Sequence, residues 1–413
     1  MARPPQKLRT LPLAATLFFV VSGGPNGLQD LVRQSGPGVA ILLILVVPVI
    51  WSLPLAAMTA ELTSALPQEG GYFVWVERTL GPFWGLTCAW WSWMSNWFDV
   101  ALYPVLVVGL LKEAHLIDFA AHWPQAEPLL RLAVILPFVA LNLFGVRPVG
   151  EGSMVLGLVV LVPFLILAGL GLAKAPTLLH LPTYNHEQGL WGSVGLGLSV
   201  VLWNYLGWDN LSTIAGEVDA PQKTFPRAIG IALPAIVVVY LLVVAGSLAI
   251  FPDWRGYESG IWVEIARRAG GFPLFAAVFA AGIASSLGQF NGMLLGVSRV
   301  PFVLAESGYL PKAIAWQHPR WNTPVNAILL CTALEFGLAQ TSLTELIELE
   351  VLLYGASILL ELLALVVLRR REPELVRPFK NPRRLAGSCR PGSGAHCHRP
   401  RYLRPGRQNA GRP

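Results

Sequence analysis

"VVSGGPNGLQDLV", residues Val20 to Val32, sets two adjacent glycines and a proline inside an otherwise apolar segment. In a helix interior Gly costs about 1 kcal/mol and Pro about 3 kcal/mol. The surrounding run, residues 11–33, is nevertheless long enough to cross a bilayer. Broken backbone at membrane depth is tolerated where it is buried in protein or lines a cavity. The N–H groups it frees then offer a seat for an anionic group such as a carboxylate. A kink needed only for packing is the alternative reading of one break taken alone.

A second break weighs against that alternative. "VLWNYLGWDNLSTIAGE", Val201 to Glu217, carries Gly207 beside Asp209 in another apolar run. Ten candidate membrane helices can be marked: 11–33, 38–62, 82–111, 129–146, 152–174, 191–215, 225–250, 271–300, 324–341 and 346–368. The two interruptions fall in the first and the sixth, corresponding positions in two five-helix halves. Paired interruptions of this kind point to the binding site of a transporter.

Composition agrees with a polytopic membrane protein. Only 13% of the 413 residues are charged and 54% are hydrophobic, with 15 Trp; soluble domains carry about 25% charge. Arg3, Lys7 and Arg9 precede the first apolar run, which no small-residue cleavage site closes, so it reads as a retained helix. Of the 30 Lys and Arg, 15 fall on the N-terminal side up to Lys380, 7 on the opposite side and 8 after Pro382. The positive-inside rule then puts the N-terminus in the cytoplasm, with the chain in the cytoplasmic membrane.

Intramembrane carboxylates are costly and normally face a cavity or a partner. Asp209 adjoins the second break and is expected to bind the cationic end of a substrate or to carry a coupled proton. Asp99, inside the third helix, either faces the same cavity or pairs with a buried amide or arginine. Trp203 and Trp208 offer ring faces for cation–π contact. Trp90, Trp91, Trp93 and Trp97 read as packing, because four aromatics within eight residues cannot all face one site. Tyr205 reads as packing too. Glu61 and Glu217, near the cytoplasmic ends of helices two and six, are either solvated or gating partners of Arg78, Arg147 or Lys223. Glu345, Glu348 and Glu350 open the tenth helix, where the macrodipole favours acids.

Other chemistries find little support. His115, His122, His180 and His186 are scattered without metal-ligand spacing, and Cys389 to His398 shows no zinc or haem pattern. Cys88 and Cys331 lie in apolar runs as core residues. There is no Walker sequence for ATP-driven transport. A membrane-embedded enzyme would need a polar catalytic cluster, which is missing. The excess of base lies in loops and tail and gives no nucleic-acid signal.

Several stretches together carry a family resemblance: "SGGPNGLQD" from Ser22, "ELTSALPQEGGYFVWVERTLGPFWG" from Glu61, "ALYPVL" from Ala101, "WDNLSTIAGEVDAPQKTFPRAI" from Trp208 and "LLELLALVVLRRREPELVRPFKNP" from Leu359. They resemble the amino acid–polyamine–organocation transporter superfamily, and within it the plant-type polyamine uptake and L-type amino-acid transporter branch, over residues 10 to 382. The resemblance implies an all-α fold of two inverted five-helix repeats, with helices 1 and 6 discontinuous and two more helices appended. It implies secondary transport of amino acids or polyamines by alternating access. A coupling proton is expected, with sodium the second candidate and no other cofactor.

Residue by residue, Ser22, Gly23, Gly24 and Gly27 match the unwound first helix, whose backbone binds substrate in amino-acid carriers. Trp203, Gly207 and Asp209 match the unwound sixth helix, and Tyr103 and Pro104 the third-helix motif. Glu217, Pro221 and Lys223 match a cytoplasmic motif, and Glu361 a family position without an assigned role. The relatives carry Glu where this chain has Gln29.

The other departure is the C-terminus. The expected organisation is a cytoplasmic N-terminus (1–10), a ten-helix core (11–368), a cytoplasmic segment (369–382) and a disordered basic tail (383–413). Helices 11 and 12 are expected to be absent, replaced by Arg-, Gly- and Pro-rich sequence that reads as a frame shift or a lipid-binding tail. An inactive transporter or a non-transporting membrane subunit is the rival reading. The sequence gives no oligomeric state.

Overall fold

A computed structural model describes residues 7–117, 123, 125–173, 178, 180–258, 260–340 and 343–379, without side-chain detail for residues 113 and 343–349. The chain divides into two units, Met1–Asn381 and Pro382–Pro413. The second unit, with the basic tail and the Cys389–His398 stretch, lies outside the described residues, as does His122.

The first unit is helical throughout. Its helices are α1 (Thr10–Val21), α2 (Leu28–Ser35), α3 (Pro37–Val47), α4 (Leu53–Ala65), α5 (Tyr72–Leu80), α6 (Pro82–Glu113), α7 (Ala126–Phe144), α8 (Val146–Leu172), α9 (Gly189–Trp203), α10 (Pro221–Ile250), α11 (Ile261–Val297), α12 (Arg299–Glu306), α13 (Val325–Leu338) and α14 (Leu343–Arg371). Among the described residues the only β pairing is one parallel bridge between Leu8 and Val218.

Among the described residues seven helical stretches are long and apolar enough to cross a membrane. The three shorter apolar helices are α1, α9 and α13. Two of these are the first halves of the interrupted segments, and they are short because the breaks cut them.

All ten expected segments have a helical counterpart, with boundary differences that have local causes. The second is a continuous helical stretch from Pro37 to Ala65, widened to a π turn at Pro48–Ser52. Pro48 and Pro54 lack the N–H that the α ladder requires there. The eighth starts ten residues earlier than the sequence suggested: α11 runs from Ile261 and bends at Gly271 (φ 66°), beside Pro273. Two short helices, α5 and α12, were not anticipated at all.

Packing places the interrupted elements centrally. α1 is almost wholly buried, seated against α8, α10 and α11. α6 lies along α14 and α5. Long helices thus enclose the first broken segment, while α9 packs on α2 and α3 and leaves an outer face exposed.

Candidate functional site

The two breaks meet. α1 ends as the Ser22 and Gly23 N–H groups both donate to the Phe18 carbonyl at 2.9 Å. Gly23, Gly24 and Gly27 all have positive φ. At Gly23 a side chain is doubly excluded, since a Cβ would fall 2.3 Å from Gln289 Cδ. α9 ends at Trp203, and the chain passes through Gly207 (φ 88°) into a 3-10 turn at Asn210–Glu217. A Cβ on Gly207 would lie 2.8 Å from the Val20 carbonyl oxygen, so the second break presses its backbone against the last turn before the first.

Between them is a cavity of about 460 Å3, counting its open mouth. Of the residues singled out in the sequence, Ser22, Asp99, Trp203 and Gly207 line it. Gly23, Gly24 and Gly27 do not: they shape the turn, and Gly27 donates its N–H to Gln29 Oε1 at 3.0 Å. Gln29 also accepts the Trp262 indole N–H at 3.1 Å. The residue that departs from the family pattern therefore braces the first break.

Asp209 is placed differently from the sequence expectation. It is 1% exposed and sits behind the wall, not in it. Tyr354, which does line the cavity, donates its hydroxyl to Asp209 Oδ1 and accepts the Gly207 N–H at 2.9 Å. Asp99 takes the cavity alternative rather than an arginine partner: Oδ1 accepts the Tyr103 hydroxyl at 2.8 Å, one helical turn away.

Glu350 is the main correction. The macrodipole reading placed it at a helix end, but α14 begins at Leu343, so Glu350 stands two turns in and lines the cavity. It neighbours Asp99, and the Trp203 indole reaches it. The side chains of Glu345 and Glu348 lie outside the described residues. Asn96 and Gln289 add side-chain amides to the wall, and among the described residues no Lys, Arg or His contributes to it.

The tryptophan run packs on itself. Trp90, Trp93 and Trp97 form edge-to-face pairs with centroids 4.8 to 6.2 Å apart. Tyr205 packs against Tyr240 and donates to the Ile44 carbonyl. Among the described residues, no three His, Cys, Asp or Glu side chains gather as a metal site.

The expected partners of Glu61 and Glu217 are replaced by others. Glu61 meets Arg369 and, at 3.7 Å, Arg377. Glu217 takes a two-pronged pair with Arg299, Nε to Oε1 at 2.8 Å and Nη2 to Oε2 at 3.2 Å. Arg78 pairs with Glu372, whose carboxyl that hydrogen bond holds below its usual range. Arg147 pairs with Glu151, and Lys223 stands exposed in the first turn of α10 and joins neither pair. Glu69, in the loop before α5, is pushed up to about 7 by burial and then by the nearby Glu217 charge. The Leu8 backbone is stitched to the same region, its N–H to the Glu217 carbonyl at 3.0 Å and its carbonyl to the Asp219 N–H at 2.9 Å.

A membrane helix bundle with two apposed broken helices around an acidic cavity has the build of a secondary transporter. The amino acid permease family model matches residues 14–389. The chain belongs to that family. It is 35% identical to the polyamine transporter RMV1 of Arabidopsis thaliana, over 93% of this chain and 77% of that protein. It is 36% identical to the polyamine transporter PUT1 of Oryza sativa subsp. japonica, over 93% of this chain and 71% of that one. In fold it resembles the crystal structure of MhsT in complex with L-phenylalanine, with a TM-score of 0.64 at 14% identity, covering 89% of this chain and 90% of that one. The fold is thus the inverted-repeat arrangement of two five-helix halves, broken at helices 1 and 6.

Proposed function

We propose that this transporter carries polyamines or similar small organic dications, by alternating access, with a proton as the coupling ion. The observation that carries the reading is the pair Asp99 and Glu350 on one cavity whose wall, among the described residues, holds no basic side chain. Two carboxylates without guanidinium or ammonium partners match a ligand that brings its own cationic ends. The names of the plant relatives support the same substrate class. Trp203 and Tyr103 supply ring faces beside the carboxylates.

The chain works in the cytoplasmic membrane with its N-terminus inside, as the distribution of Lys and Arg argues. The Glu217–Arg299 and Glu61–Arg369 pairs then lie at the cytoplasmic end and close the path inward. Opening to the cytoplasm separates them, which makes them the gate.

An α-amino acid is the second reading. It is favoured by Ser22 and the first break, which also border the cavity and could receive a carboxylate.

Proteoliposomes loaded with unlabelled substrate separate the two. Labelled putrescine, lysine and leucine are offered in turn, with and without an inward proton gradient. Saturable exchange of putrescine, stimulated by the gradient, is expected. Exchange of leucine in preference to putrescine overturns the polyamine reading, and gradient-independent uptake overturns the proton.

A further inference from the structure

Behind the cavity wall, Asp209 has a neighbour that the substrate site does not use. Glu361, on α14, is fully buried, and its carboxyl lies within hydrogen-bonding reach of Asp209. Neither Glu361 oxygen meets a donor among the described residues, and nor does Asp209 Oδ2. The titratable groups that face the pair are Tyr72 of α5, Cys88 of α6 and Tyr354 of α14, and none of them is a base. Arg299, a fully buried cation, is committed to Glu217.

Two carboxylates in contact, shielded from water and without a cation, cannot both stay ionised. A single proton shared between them removes the repulsion and bridges Asp209 Oδ2 and one Glu361 oxygen, a bond that the protein's own donors do not supply. We infer that Asp209 and Glu361 together hold one exchangeable proton, and that this pair, reached from the cavity through Tyr354, is the coupling-proton site. The inference rests on the proton-coupled reading given above.

Tyr354 makes the coupling physical. Its one oxygen accepts the Gly207 N–H of the second break and donates to Asp209, and the residue itself lines the cavity. With the proton bound the pair carries a charge of −1, and with it released to water on the inner side, −2. The added charge tightens the hold on the Tyr354 hydroxyl, and so on the backbone of the break that borders the substrate.

The test uses wild type and Glu361→Gln in proteoliposomes without sodium. Two rates are read with whichever of putrescine, lysine or leucine wild type exchanges: counterflow of label, and acidification of an entrapped pH dye on substrate addition. Glu361→Gln is expected to exchange at near the wild-type rate while its proton flux falls to background. Undiminished proton flux in that variant overturns the pair. Wild-type exchange with no proton flux, or with flux only when sodium is added, overturns both the pair and proton coupling. Wild-type exchange of leucine but not putrescine overturns only the substrate class.

A folded Glu361→Gln that exchanges nothing is read against Glu361→Asp. Recovery of exchange and proton flux together supports an acid at this position, and no recovery counts against it. Infrared difference spectra need no transport: Gln in place of Glu361 leaves Asp209 with an added amide donor, which favours its ionised form. The protonated-carboxyl band at neutral pH should therefore shrink in the variant, and an unchanged band overturns the shared proton.

Discussion

The cavity and the layer that holds Glu61 and Glu217 both contain buried or half-buried carboxylates, yet they solve the problem of burial in opposite ways. Glu61 and Glu217 each face a guanidinium from a distant part of the chain. Asp99 and Glu350 neighbour each other and otherwise share their wall with hydroxyl, indole and amide groups, without a guanidinium among the described residues. A carboxylate with its cation built in is a lock, stable in one arrangement and costly to part. A carboxylate without one suits a ligand that brings its own positive charge. Under the proposed function the same residue type serves closure in one layer and binding in the other, and the arginines draw the boundary.

That contrast can be broken at the lock first. Arg299 is 1% exposed and Glu217 19%, so Arg299→Ala strands a partly buried charge. The expected cost to this closed arrangement is about 3 kcal/mol, the low end for breaking a buried pair. A lower melting temperature in detergent, together with faster labelling of cysteines introduced below the pair, would show it. An unchanged melting curve would mean the pair contributes nothing to closure.

In the cavity, Asp99→Asn and Glu350→Gln each remove one charge-assisted contact to a cationic ligand, worth about 1.5–3 kcal/mol. The half-saturating putrescine concentration in counterflow should rise roughly 10- to 100-fold. If both variants keep wild-type values, the cavity is not the binding site.

A smaller effect follows from pH. Glu69 binds a proton more tightly in this arrangement than the ordinary carboxyl value of 4.5 allows, up to about 7. Its contribution is full below 4.5 and is lost as pH rises through 7, so the melting temperature should decline across that window. Glu69→Gln should flatten the decline, and an equal slope in both proteins would exclude Glu69 as its source.

The smallest effect sharpens the comparison from outside. Arg147 and Glu151 are 53% and 56% exposed. Arg147→Ala should change stability by less than about 0.5 kcal/mol, as for other exposed pairs. A large loss on thermal denaturation would show that ion pairing alone, without burial, makes a lock here.

What the sequence disclosed divides along the same line. Breaks at Gly23-Gly24-Pro25 and Gly207 are local chemistry, so they were legible, as were Asp99 and Asp209 as charges within apolar runs. Glu350 was seen but explained away, because its distance from the start of α14 could not be judged to within two turns. Tyr354, Asn96 and Gln289 gave no signal, since a tyrosine or an amide in an apolar helix breaks no rule of pattern. The partners of Glu61 and Glu217 were misassigned for a different reason. Glu61 and Arg369 are 308 residues apart and Glu217 and Arg299 are 82 apart, so only the fold brings them together. The short helices α5 and α12 were missed because neither is long enough to announce itself by periodicity.

The stitch between Leu8 and the Glu217–Asp219 backbone has a practical reach beyond the lock itself. It ties the leading end of the chain to the segment that follows the second break. If that segment shifts as the cycle turns, the leading end must let go or travel with it. A fluorophore placed ahead of Lys7 would then work as a reporter of turnover, and a bulky fusion or immobilising tag at the same place would act as a brake.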